Sequence, residues 1–120
     1  MKTATLTLDR IIRNAKRTGH LPGSTVVILG DFAQDAETFT KNGYNAIPYT
    51  QEAAKTADVF YASPELPANE SINVFEMLAK QDARLLLIGD EIEWEHCIPK
   101  QLNHDGTRTA GRRYTVYRKP

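Results

Sequence analysis

Thr25-Val26-Val27-Ile28-Leu29-Gly30-Asp31 (TVVILGD) is the stretch on which the fold turns. Five residues in a row are apolar or β-branched, with no alternation of polar positions. A strand written this way is covered on both faces, as strands of a parallel sheet are. The run stops at Gly30-Asp31, and Arg84-Leu85-Leu86-Leu87-Ile88 stops in the same way at Gly89-Asp90. A third run, Asp58-Val59-Phe60-Tyr61-Ala62, ends at Ser63-Pro64, and a shorter one covers residues 45–49.

Helical spacing fills the intervals. Residues 33–42 predict a helix stopped by Gly43, and residues 51–56 a single helical turn. Asn69 or Ser71 can cap a helix running to Lys80, with Ile72, Phe75, Met77, Leu78 and Ala79 supplying most of its apolar face. Ahead of the first strand, residues 8–17 (LDRIIRNAKR) put Leu8, Ile11, Ile12 and Ala15 on one helical face. Arg10, Arg13 and Arg17 fall on the opposite face, with Lys16 on the flank. Thr7 is a candidate N-cap, Gly19 a stop, and Pro22-Gly23 a break. Towards the end, residues 91–98 (EIEWEHCI) read as a short helix or strand. Residues 99–111 read as a loop, and residues 113–118 as a last, exposed strand.

Strands alternating with helices form a parallel sheet covered on both sides. The predicted architecture is therefore α/β: one three-layer domain with a central, mainly parallel four-stranded sheet. Helices lie on both faces, with an N-terminal helix and a C-terminal edge strand added. Residues 1–22 form a basic helix and linker, 23–98 the α/β core, and 99–120 a loop and a basic strand. The link from the second strand to the third, residues 50–57, is shorter than a full crossover unit, which restricts the families that fit.

With 120 residues the chain is one domain, and 41% hydrophobic with 25% charged residues excludes disorder and fibrous repeats. There is no apolar run long enough for a membrane span and no apolar signal segment. A cytoplasmic protein without a membrane partner is expected. Cys97 is the only cysteine, which excludes an internal disulfide and a multi-cysteine zinc site. The zero net charge divides into +4 over residues 1–20, −9 over 21–95 and +5 over 96–120. Basic ends either solubilise two termini or mark a nucleic-acid footprint.

Ligands of parallel sheets bind beyond the carboxyl ends of the strands. Gly30, Asp31, Ser63 and Asp90 are the candidate cofactor-binding residues there. The two aspartates could hold magnesium, or each Gly-Asp could simply turn the chain and cap a helix. Residues 30–35 (GDFAQD) occupy the place of a dinucleotide fingerprint. They keep only its first glycine, with Phe32 and Asp35 at the positions of the other two. The end of the second strand, Tyr49-Thr50, lacks the acid that binds a ribose. His20, His96, His104 and Cys97 have no metal-ligand spacing apart from the adjacent pair His96-Cys97. Glu91, Glu93 and Glu95 read as a solvated face. No catalytic set, metal or cofactor is expected on these grounds.

From Gly23 to Ile98 the chain resembles a BRCT domain, an interaction module of DNA repair and replication proteins. The resemblance is carried by TVVILGDF, TKNGYNAI, ADVFYASPEL, ESINVFEMLAKQ, ARLLLIGD and the closing EWEHCI. It implies that Trp94 anchors a third helix and that Gly43 makes a tight turn. The phosphate-binding version of that family carries a hydroxyl where Leu29 stands and a lysine where Asn73 stands, so phosphopeptide recognition is not implied. A rival resemblance, carried by TVVILGD, KNGYNAIPYT and TADVFYASPELP, is to degenerate NAD(P)-binding Rossmann or methyltransferase-like domains. Ser63-Pro64-Glu65-Leu66 is similar to the Ser-Pro-Pro-aromatic loop of amino-methyltransferases, without its second proline and its aromatic residue.

The function expected first is a non-catalytic interaction module linked to DNA metabolism. Arg10, Arg13, Lys16 and Arg17 would meet nucleic-acid phosphates, aided by Arg112, Arg113 and Arg118, or the acidic middle would meet a protein partner. The alternative is a Rossmann-like domain binding a nucleotide or S-adenosylmethionine through Gly30, Asp31, Ser63 and Asp90.

Overall fold

The computed structural model describes residues 8–17, 19, 21–30, 32–62, 68–88, 103–104 and 114–119. In chain order the elements are α1 (Leu8–Arg17), β1 (Thr25–Leu29), α2 (Phe32–Lys41), β2 (Asn45–Pro48) and α3 (Gln51–Thr56). They continue with β3 (Val59–Ala62), α4 (Ala68–Leu78), β4 (Arg84–Ile88), β5 (Asn103–His104) and β6 (Tyr114–Arg118). The strands form one sheet in the order β2-β1-β3-β4-β6-β5. The first four are parallel, with Val27 beside both Ile47 and Phe60, and Phe60 beside Leu85. β6 is antiparallel to β4, pairing Leu86 with Val116, and β5 is antiparallel to β6.

β1, β3, β4 and β6 each feed two cores, because successive side chains point to opposite faces. On one face Val26, Ile28, Val59, Tyr61, Leu86 and Val116 pack under α1 and α2, with Ile11, Ile12, Ala15 and Phe39. On the other face Val27, Leu29, Phe60, Ala62, Leu85, Leu87 and Tyr117 pack under α3 and α4, with Ala54, Ile72 and Phe75. The unbroken apolar strands of the sequence are thus covered on both sides, and the α/β three-layer class holds.

Local chemistry sets the ends of the elements. α2 closes in a Schellman motif: Tyr44 N–H donates to the Phe39 carbonyl at 3.1 Å, and Gly43 N–H to that of Thr40 at 3.1 Å. The apolar contact that accompanies this motif is Phe39 against Tyr44, edge to face with ring centroids 5.9 Å apart. The Tyr44 hydroxyl donates to the buried Leu21 carbonyl at 2.6 Å, and burial pushes its pKa up to about 12. Thr50 caps α3, its Oγ1 accepting the Ala53 N–H at 3.0 Å.

Three expectations are corrected. Met77 is 78% exposed instead of lying in the apolar face of α4. It stands two residues from buried Phe75, about 200° around the helix, and Ser71 takes the buried position one turn before Phe75. The last strand is neither exposed nor outermost. Val116 and Tyr117 are buried, and β6 lies between β4 and the two-residue β5. β5 itself forms inside the stretch read as a loop, which has the turn-rich composition that hides a two-residue strand. Thr7 and residues 91–98, with Trp94, His96 and Cys97, lie outside the described residues.

Candidate functional site

The chain leaves β1 through α2 to β2 on one side, then returns through α3 to β3 on the other. The topological switch point is therefore between β1 and β3, and the ligand crevice of such a sheet opens beyond their carboxyl ends. Leu29 and Ala62 are register partners there. Gly30 follows with φ +102°, a conformation that side chains disfavour. α2 begins two residues later, so its first unpaired N–H groups and the positive end of its dipole sit at the crevice. Phe32 is half-buried and packs into the core under α1 and α2. Asp35 is half-buried in the first turn of α2.

β2 is the parallel neighbour of β1, with Pro48 opposite Ile28, so its end lies beside that of β1. Tyr49 is 36% exposed, one of two exposed large apolar side chains among the described residues. Glu52 is exposed in the first turn of α3. Neither stands out as a site residue in the sequence, since the end of the strand itself carries no acid and Glu52 is three residues past Tyr49. Of the four cofactor candidates only Gly30 is placed; Asp31, Ser63 and Asp90 lie outside the described residues.

The opposite end of the sheet holds a second polar cluster, which the sequence did not announce. Asp58 Oδ2 accepts the N–H groups of Ser24 and Thr25 at 2.9 and 3.1 Å, and its Oδ1 meets Lys80 Nζ at 2.8 Å. Gly23 (φ +92°) lies hard against it. Gly23, Asp58 and Lys80, with Pro22, Gln81, Asp82 and Arg84, line a cleft of about 290 Å³ at the amino ends of the strands. That is the wrong end for the ligand of a parallel sheet, and the bonds tie the linker before β1 to β3. Partial burial raises the Asp58 pKa, but the Lys80 ammonium and the two backbone N–H groups outweigh it and hold the carboxyl below its ordinary value. A depressed folded-state pKa gives stability that is present above the unfolded value of about 4 and is lost as pH falls through the folded value. The urea midpoint of the wild type is therefore expected to fall more steeply between pH 6 and pH 3 than that of Asp58→Asn.

The basic residues divide between two places. Arg10, Arg13 and Arg17 line an open groove of about 430 Å³ along α1, together with Asn14. Lys16 does not join that lining. Its Nζ donates to the Asn42 carbonyl at 2.6 Å and lies 5.1 Å from the centroid of the Tyr44 ring, bonding α1 to the end of α2. Arg118 is on β6, opposite Arg84 and Asn103. Arg112 and Arg113 lie outside the described residues. Lys41 of α2, which the sequence reading did not select, is close enough to lower the pKa of Asp9. The Asn42 amide is the larger cause, and Arg13 adds to it.

No protein-family profile matches the sequence, and no curated protein does. Solved structures do match. TrmN from Thermus thermophilus superposes with a TM-score of 0.60 at 12% identity, covering 93% of this chain and 49% of its own. A point mutant of MtNAS in complex with S-adenosylmethionine gives 0.59 at 12% identity, covering 91% of this chain and 60% of its own. The fold is a Rossmann-like α/β fold with a mostly parallel sheet flanked by helices. At this identity the likeness concerns the fold alone, and the chain spans about half to three-fifths of the length of these neighbours. The BRCT resemblance finds no support among them, nor do the readings of DNA repair and DNA binding that came with it. The rival resemblance, to Rossmann or methyltransferase-like domains, agrees with them in fold. Among the described residues no helix is long and apolar enough to cross a membrane.

Proposed function

We propose that this chain is an S-adenosylmethionine-binding domain, with the ligand in the crevice between the carboxyl ends of β1 and β3. The observation that carries the reading is the strand order β2-β1-β3-β4-β6-β5, with the antiparallel β6 set between β4 and β5. Over nine-tenths of the chain this arrangement superposes on a protein that holds S-adenosylmethionine.

The residues present fit that ligand better than a dinucleotide. A pyrophosphate needs close backbone approach and positive surroundings at the first turn. Here the sequence keeps one glycine, followed by Asp31 and, five residues past it, Asp35, and negative charge opposes a phosphate group. S-adenosylmethionine has no phosphate and carries a sulfonium and an ammonium, which acidic residues attract. Gly30 lets the backbone turn sharply below the ligand, with Phe32 tucked into the core. Tyr49 offers an exposed ring on which an adenine stacks. Glu52 offers a carboxylate to ribose hydroxyls. When bound, S-adenosylmethionine supplies an electrophilic methyl group; the residues named here bind and orient it.

A thermal-shift panel tests the reading. At 100 times its dissociation constant a ligand that binds only the native state adds about 2.7 kcal/mol, a rise in Tm on the order of 10 °C for a domain this size. S-adenosylmethionine should produce that rise, NAD and NADP should not, and Tyr49→Ala with Glu52→Gln should need roughly tenfold or more ligand for the same shift, each lost contact costing about 1 kcal/mol. No shift with S-adenosylmethionine, or an equal shift with NAD, would overturn the reading.

A further inference from the structure

We infer that the outer face of α1 is a docking surface for the phosphate backbone of a nucleic-acid duplex, independent of the S-adenosylmethionine crevice. α1 is anchored by Ile11, Ile12 and Ala15, all fully buried, so its orientation on the sheet is fixed. Its opposite side presents Arg10, Arg13 and Arg17, each exposed, around a single open groove.

Local bonds position the guanidinium groups of Arg17 and Arg13. Arg17 Nη2 donates to Asn14 Oδ1 at 2.7 Å. Arg13 meets Asp9 at 3.0 Å across one helical turn, in a pair whose arginine side chain is 62% exposed. An exposed pair of this kind is worth at most about 1 kcal/mol, so Arg13 can exchange Asp9 for a phosphate. Asp9 is also the acceptor of the Asn42 Nδ2 amide at 2.9 Å and is stabilised by nearby Lys41. It is thus tied to α2, while Lys16 and Lys41 add positive potential beside the groove.

The spacing suits a repeating anion. From Arg10 to Arg17 the helix rises about 10 Å. One strand of a duplex presents a phosphate every 3.4 Å or so of axis, so about three phosphates pass along that length. Arginine is the cation suited to them, since its planar fork of donors matches phosphate oxygens in pairs. The other side of the sheet differs: α3 and α4 expose or half-expose Glu52, Glu70 and Glu76 against Lys55, and Lys80 just past α4 is paired with Asp58. Charge complementarity therefore selects the α1 side and orients the molecule on a polyanion.

Fluorescence anisotropy with a labelled 20-base-pair DNA duplex tests this, using the full chain without S-adenosylmethionine. Three phosphate contacts predict a weakening of about 40-fold between 50 and 200 mM salt. Arg13→Gln with Arg17→Gln should weaken binding at 50 mM salt and reduce the salt effect to about 3- to 4-fold, since one contact remains. A control pair on the other face, Lys55→Gln with Lys80→Gln, should leave both unchanged. Absence of binding at 50 mM salt, wild-type binding by the arginine variant with an unchanged melting curve, or equal binding of polyglutamate would each overturn the inference. The crevice reading stands or falls separately, on the ligand shift described above.

Discussion

Phe60→Ala lowers the free energy of unfolding by about 3–5 kcal/mol, the range for removing a fully buried phenylalanine. Phe60 is wholly buried at the centre of β3, flanked by Val27 on β1 and Leu85 on β4. Its ring meets Phe75 of α4 edge to face, with centroids 5.1 Å apart. Both flanking side chains are held by the sheet ladder, so they cannot close the cavity, and this places the cost towards the upper part of the range. A small domain has about 5–15 kcal/mol in all, so the variant is expected to be partly unfolded at physiological temperature. Urea titration followed by circular dichroism measures the loss. Met77→Ala on α4 is the matched control: its side chain is exposed and the change should stay within about 0.5 kcal/mol. A loss below about 1 kcal/mol at Phe60 would contradict the placement of the core.

Gly23→Ala is expected to cost about 2–4 kcal/mol, through two causes that add. The backbone at φ +92° is costly for any side chain. A Cβ there would also lie 2.5 Å from both Cβ and Cγ of Asp58, so the aspartate itself must move. Moving it breaks the bonds to the Ser24 and Thr25 N–H groups and the pair with Lys80. Gly19→Ala separates the two causes. Gly19 has φ +82° but nothing within 4 Å of its added Cβ, so it carries the conformational cost alone, about 1 kcal/mol. Urea midpoints of the two variants give the difference, and equal losses would contradict the steric contact.

Much of the fold was legible because its causes are local. Apolar β-branched runs without alternation marked β1, β3 and β4 as doubly covered strands, and the 3.6-residue period marked α1 to its last residue. The Gly43 stop was visible because a helix that ends in a Schellman motif needs that residue type. Met77 was misplaced by counting apolar residues in a stretch instead of projecting them around the helix. The pairing of β6 with β4 and β5 was not legible. An antiparallel partner brought back from the end of the chain is a long-range choice, and RYTVYR has the same alternation on an edge as inside a sheet.

The candidate site was legible only in outline. Gly30 stood out because a strand that ends in glycine invites a sharp turn. The fold class came from the alternation of strands and helices; the short link between β2 and β3 fits both BRCT and Rossmann or methyltransferase-like domains, and the solved structures match the second. Tyr49 and Glu52 were missed because their position beside the crevice follows from the strand order. Arg13 and Lys16 are three residues apart on one helix, yet their neighbours separate them: one lines the groove and the other bonds α2. The cluster around Asp58 joins residues 34 and 22 positions apart in sequence, a separation that no local pattern reveals.

Amide chemical shifts of the ¹⁵N-labelled chain, followed while S-adenosylmethionine is added, bear most directly on the site. The crevice reading predicts that Leu29, Gly30, Tyr49 and Ala62 shift along one saturating curve, while Gly23, Asp58 and Lys80 stay in place. Shifts confined to the Asp58 end of the sheet, or no shift anywhere at millimolar ligand, would contradict it.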